Sequence, residues 1–305
     1  MKIGLIDVDG HNFPNIPLMK LSAWHKAQGD SVEWYKPLLS GHMDKVYCAK
    51  VFSFTPDFQY PIDADQVVKG GTGYHIHLQD GREIWQGADV NLPEEIEHVY
   101  PDYDLYGITD TAYGFLSRGC PRGCFFCHVK SKEGMRSRKV ANLHEFWGGQ
   151  KKIEVCDPNI LACQEAEDLL GQLAESKAMV NINQGLDARL LTESKIELIR
   201  KIKKKYYHFA WDNPMDEDKI VPKLKTFVDM VKPYKRNVVV YCLVNFTSTL
   251  EEDFHRIYTL RETGVSPYIM IYDKENADPI YKKIQRWVNA PKIFWSTQTF
   301  EEYTR

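Results

Sequence analysis

Two spacings of apolar residues take turns along this chain. Continuous apolar runs such as KIGLI (2–6), SVEWY (31–35) and KVYCAKVFSF (45–54) predict strands, and DQVVKGGTGY (65–74) predicts a strand running into a Gly-rich turn. Between the first two, residues 16–28 carry helical spacing, with Ile16, Met19 and Ala23 on one face and Gly29 as the stop. Residues 76–105 break the rhythm, being irregular and rich in Asp, Glu, Pro and Tyr, and read as a connection. From residue 106 the alternation resumes. TAYGFLS (111–117) is followed by apolar runs at 153–156, 179–182, 207–211, 238–244 and 268–272. Helical patterns lie between them: QEAEDLLGQLAESK puts Ala166, Leu169, Leu170 and Leu173 on one face, and 192–205, 216–231, 249–263 and 279–288 follow suit.

Strands alternating with helices imply parallel sheets with right-handed crossovers. The expected fold is therefore α/β: a partial (β/α)6 TIM-like barrel preceded by a small Rossmann-like parallel α/β domain. The expected boundaries are 1–75 for the small domain, 76–105 for the connection, 106–290 for the barrel and 291–305 for a C-terminal extension. In such sheets ligands sit at the C-terminal ends of the strands.

Composition narrows the picture only by exclusion. The net charge of −3 provides no field that would steer the chain to nucleic acid or a membrane. No apolar stretch approaches the ~20 residues of a membrane helix, and the first residues read as a strand rather than a signal peptide. Seven cysteines, an odd number in a long chain, argue against a disulfide framework and for a reducing, cytoplasmic compartment.

Three of those cysteines crowd into RGCPRGCFFCHVKSKEG (118–134) as C-x3-C-x2-C, directly after the first strand of the expected barrel. Zinc would want four closed ligands. His128 is adjacent to Cys127, but neighbouring residues rarely both reach one tetrahedral metal, and Cys156, Cys163 and Cys242 form no second pair. Three thiolates without a fourth suit a [4Fe–4S] cluster with one open iron. The segment Cys120-Pro-Arg-Gly-Cys124-Phe-Phe126-Cys127 resembles the radical S-adenosylmethionine (SAM) superfamily, whose signature is C-x3-C-x-aromatic-C. The resemblance implies that Cys120, Cys124 and Cys127 hold the cluster and that SAM binds the open iron. It further implies that Phe126 packs near the adenine and that one electron cleaves SAM to a 5′-deoxyadenosyl radical, which takes hydrogen from a substrate. A flavodoxin- or ferredoxin-like reductant is implied as partner, near the basic run 129–139. A non-catalytic binding or sensing protein, in which the cysteines hold zinc or an inert iron–sulfur cluster, stays as the alternative.

The same resemblance suggests SAM contacts at later strand ends: Asp157 and Asn159, then Gln184, Asp187 and Arg189, then Asp212, then Asn245. Arg189 would pair with the SAM carboxylate, while the plainer reading makes Asp187 a cap for the next helix and Arg189 a surface residue. No G-G-E or G-x-P loop of the family is present. RGCPRGCFFC looks closest to members with an N-terminal cobalamin-binding-type domain, and Asp9-Gly10-His11 matches the D-x-H of such domains after their first strand. Pro14 stands where they place glycine. A degenerate, B12-binding-like domain is expected, with a cobalamin-dependent methyltransferase as the alternative. Without cobalamin, Asp9 and His11 become candidate substrate or acid–base residues. Nothing resembles a nucleic-acid module, and the basic run 195–208 reads as the solvated face of an outer helix.

Overall fold

Local capping chemistry sets where the first helix begins. Asn15 accepts from the Leu18 N–H at 3.2 Å and Pro17 occupies the first turn, so α1 (Ile16–Ala27) starts at the residue the spacing predicts. Ile16, Leu18, Met19, Leu21, Ser22 and His25 are its buried residues, while Ala23 is only half-buried. The computed structural model describes residues 1–79, 82–87, 91–234 and 236–303. Parts of the expected connection (80–81, 88–90) and of the C-terminal extension (304–305) lie outside the described residues.

The chain divides into two compact units, Met1–Ile153 and Glu154–Arg305. In the first, β1 (Lys2–Asp7), β2 (Ser31–Trp34), β3 (Met43–Ala49) and β4 (Ala64–Gly70) form one parallel sheet in the order β2-β1-β3-β4. Central β1 is buried because helix packing covers it: Ile3 and Leu5 meet Leu18 and Leu21 of α1, while Ile6 meets Met43, Val46 and Cys48. Edge strand β4 is mostly exposed. The order is that of a doubly wound sheet, whose ligand sites lie beyond the strand C-termini. The predicted irregular connection contains a hairpin, β5 (Ile76–Gln79) with antiparallel β6 (Arg82–Trp85), and a short helix α2 (Glu94–Glu97). The signal was present but overlooked: Ile76 and Leu78 alternate with His77 and Gln79 ahead of an Asp-Gly pair.

After α2 come β7 (Thr111–Gly114), the two-residue strands β8 (Ser117–Arg118) and β9 (Arg138–Lys139), and between these the one-turn helix α3 (Val129–Lys132). Strand β10 (Lys152–Val155) straddles the boundary between units. Its first residue donates to the Asp110 carbonyl at 2.9 Å beside β7, and its last accepts from Asn183 at 3.0 Å in the second unit. The second unit then alternates as predicted: α4 (Ala166–Glu175), β11 (Met179–Ile182), α5 (Glu193–Lys201), β12 (Tyr207–Ala210), α6 (Glu217–Val231), β13 (Val238–Val244), α7 (Leu250–Glu262), β14 (Ser266–Ile271), α8 (Pro279–Val288) and α9 (Pro291–Ser296). Ala166, Leu169, Leu170 and Leu173 are all buried, as the spacing demands. Thr192, Thr249 and Asp278 cap α5, α7 and α8 through their side chains.

The sheet itself is not continuous. β12, β13 and β14 pair in parallel, but only one isolated parallel bridge, Leu186 to Phe209, joins β12 to the segment after β11. Among the described residues no pairing closes the strands into a ring. The chain is thus α/β with parallel sheets. No helix among the described residues is long and apolar enough to cross a membrane.

One polar knot of the first sheet carries a pH dependence. Burial pushes the Asp57 carboxyl up, but Lys69 Nζ and the Tyr74 hydroxyl, each at 2.6 Å, and the Phe58 N–H at 2.8 Å bring it down to about 2. A carboxylate held low stabilises the fold fully above its ordinary 3.8, and this contribution is lost as pH falls toward 2. Asp57→Asn is therefore expected to be less stable than the wild type near neutrality, with the gap closing between about pH 4 and pH 2. Urea midpoints measured across that range check this.

Candidate functional site

The cysteine loop is held by its own backbone. The Cys120 N–H donates to the Gly134 carbonyl at 3.2 Å, and the Cys127 N–H to the Cys124 carbonyl at 3.1 Å, so the three thiols ride on one closed loop. Gly119 has φ of +88°, and a Cβ there would run into the Arg136 carbonyl, so only glycine brings the two limbs this close. Its N–H donates to Glu133 Oε2 at 3.0 Å, and Arg118 lies 3.8 Å from Glu133 and 3.4 Å from Glu97. Phe126 is half as exposed as Phe125, at 36% against 69%. Gly119→Ala should cost roughly 1–3 kcal/mol of stability through forced backbone strain. A urea denaturation midpoint would read the loss.

Cys120, Cys124 and Cys127 are all half-exposed, and none of the seven cysteines forms a disulfide. Burial, with the neighbouring charge of Cys120 adding to it, pushes the Cys127 thiol up. Coordination to a cation is what would let such a thiol ionise. Among the described residues no three His, Cys, Asp or Glu side chains converge as a ready-made set. The donor chemistry nonetheless fits an iron–sulfur cluster: three thiol residues, one loop, and no fourth cysteine at motif spacing. Cys163 is buried, with its thiol pushed to about 11 first by burial; Cys156 is half-buried.

Asp9 and His11 occupy the loop after β1 but do not work as a pair. The Asp9 carboxylate accepts from the Val51 and Phe52 N–H groups, stitching the β1 loop to the β3 loop. The His11 ring lies 4.2 Å from Trp34 and 5.6 Å from Tyr106. In the Gly-rich turn after β4, a Cβ on Gly71 would strike the Lys50 carbonyl and one on Gly73 would come within 2.7 Å of the Phe52 carbonyl, while Gly70 has open space around it.

In the second unit the strand ends carry a connected polar network. Asn159 Nδ2 donates to Asp187 at 3.2 Å; Asp187 accepts from the Arg189 N–H at 3.2 Å and from its Nε at 2.7 Å; and Arg189 Nη1 donates to Asp216 at 2.7 Å. Asp187 thus caps the turn Ala188–Leu190, and Arg189 is clamped between two carboxylates. Asp157 is buried nearby in the chain, whereas Gln184 is exposed and its amide makes no hydrogen bond among the described residues. Asp212 accepts from the Leu243 N–H at 3.0 Å, and burial pushes its carboxyl up. Asn245 sits in the left-handed region at φ +61° and donates to the Tyr272 carbonyl at 3.0 Å.

Sequence reasoning missed two residues that build these strand ends. Asp216 completes the Arg189 clamp. Arg256, fully buried, donates from Nη1 to the Trp211 and Asp212 carbonyls (2.6 and 2.9 Å), and from Nη2 to the Leu243 carbonyl (2.8 Å), to Ser248 and to Asp253. Its signal was present: an arginine on the apolar face of α7, one turn after an aspartate. No protein-family model matches this chain, and no curated protein matches it.

Proposed function

We propose that this chain is a radical SAM enzyme, in which Cys120, Cys124 and Cys127 hold a [4Fe–4S] cluster whose open iron takes SAM. The observation that carries the reading is the C-x3-C-x2-C loop, closed by its own hydrogen bonds and threaded past Gly119, directly after β8. On this reading β7 and β10 to β14 form the six strands of a partial barrel. When bound, the cluster supplies one-electron cleavage of SAM and, through it, hydrogen abstraction from a substrate.

The residues of the chain do the holding. Three thiolates bind, the Gly119 turn orients the loop, and Phe126 offers a ring for the adenine. At the strand ends, Gln184 has a free amide for SAM, and Asp157, Asn159, Asp212 and Asn245 supply further polar groups. Arg189 enters already paired, so its contribution is to fix Asp187 and Asn159 rather than to donate a whole guanidinium. Lys130 and Arg136 beside the loop suit an acidic one-electron donor of the flavodoxin or ferredoxin kind. A cytoplasmic location agrees with an oxygen-sensitive cluster and free thiols.

The test is direct. Anaerobically purified protein should be brown, with broad absorbance near about 400 nm. With SAM and a reductant it should release 5′-deoxyadenosine. Colourless protein carrying one zinc per chain and inert toward SAM would overturn the proposal in favour of a zinc protein.

A further inference from the structure

Beyond the C-terminal ends of β1 and β2 lies a cavity of about 480 Å³, well within the size of small-molecule sites. Trp34 with the His11 ring against it forms one wall. The loop Pro56–Tyr60 forms another, where Phe58 and Tyr60 meet edge to face at 5.7 Å. Asp57 in that loop is already engaged by Lys69, Tyr74 and the Phe58 N–H. Three other polar groups at the cavity are not so engaged. The Lys36 ammonium and the His11 imidazole make no hydrogen bond or ion pair among the described residues. Asp7 holds one, from the Tyr106 hydroxyl at 2.6 Å, and a carboxyl so placed keeps lone pairs for another donor.

We propose that this cavity binds a nucleoside monophosphate, with the base between the Trp34 and Tyr60 walls, its polar edge on Asp7, and the phosphate on Lys36 and His11. The chemistry selects this class. Aromatic walls take a planar ring of any base by stacking. A carboxyl beside them reads ring N–H groups. A cation without a partner on the rim takes an anion. The place agrees: the cavity lies outside the carboxyl ends of a doubly wound parallel sheet. Burial pushes the Asp7 carboxyl up, against the lowering effect of the Tyr106 hydroxyl. The proposal does not depend on the cysteine loop.

The test is calorimetric titration of the full chain with AMP, GMP, CMP and UMP, with the matching nucleosides and inorganic phosphate as separate arms. At least one monophosphate should bind with one site per chain. Lys36→Ala should weaken it about tenfold while leaving the nucleoside unchanged. Tyr60→Ala, at an exposed position, should weaken nucleotide and nucleoside alike by about tenfold. Binding should persist when Cys120, Cys124 and Cys127 are all alanine, which separates this site from any SAM site. Four outcomes would each overturn the proposal: no binding of any monophosphate, inorganic phosphate binding as tightly as the nucleotide, affinities unmoved by both substitutions, or binding lost with the cysteines.

Discussion

Cys124→Ala is expected to leave the anaerobically purified protein colourless, with iron falling from about four per chain to near zero and SAM cleavage falling to background. The reason is the donor count. On the proposed reading three thiolates would leave one iron open; two would leave two of the four irons without a thiolate, and Cys124 is the residue whose carbonyl also closes the loop onto Cys127. The decisive control is Cys163→Ala. That thiol is buried and pushed to about 11, first by burial, with Glu165 accepting from it at 3.0 Å. A thiol in that state packs as a small apolar group and holds no metal. Its loss should leave iron and colour intact. If both substitutions strip the iron equally, the assignment of the cluster to this loop fails. If Cys124→Ala keeps its iron, it fails more plainly.

The largest effect on stability is expected at Arg256 and Asp253. Both side chains are fully buried, and Arg256 ties the carbonyls that end β12 to the end of β13. Asp253→Ala leaves the guanidinium charged, buried and without its carboxylate, which costs about 3–5 kcal/mol in comparable buried pairs. Arg256→Met should cost a similar amount by a different route: it takes a donor from three carbonyls and leaves the buried Asp253 carboxylate without its cation, with the Ser248 hydroxyl still donating to it. Guanidinium denaturation measures both. Hydrogen exchange tells where the damage falls: peptides covering 211–213 and 243–249 should lose protection in both variants, while α4 keeps its own. A change of under about 1 kcal/mol would mean that the pair does not hold these strand ends. Because Asp212 and Asn245 lie in those segments, their placement depends on Arg256 as well.

The alternation of strands and helices was legible in the chain, and most boundaries fell within a few residues of expectation, as at α1, α4 and β11. Burial repeats at the period of the element, and capping residues such as Asn15, Thr192 and Thr249 sit beside what they cap, so both signals are local. The cysteine loop was legible for the same reason: its three thiols lie within ten residues of sequence. The hairpin at β5 and β6 was overlooked: Ile76 and Leu78 do alternate with His77 and Gln79 ahead of an Asp-Gly pair, but strands of four residues are easily lost in a polar stretch.

What the sequence alone determined is thus the class of fold and the motif. What only the tertiary structure decided is the pairing of groups far apart in the chain. The order β2-β1-β3-β4 and the lone bridge between Leu186 and Phe209 depend on which strand edges meet. Arg189 finds Asp216 at a separation of 27 residues, Asp9 finds Val51 at 42, and Arg256 finds Trp211 at 45. A carboxylate or guanidinium reads the same in sequence whether it caps a turn, clamps two strands or faces a ligand. The choice is made by which donors the folded chain brings within about 3 Å of it.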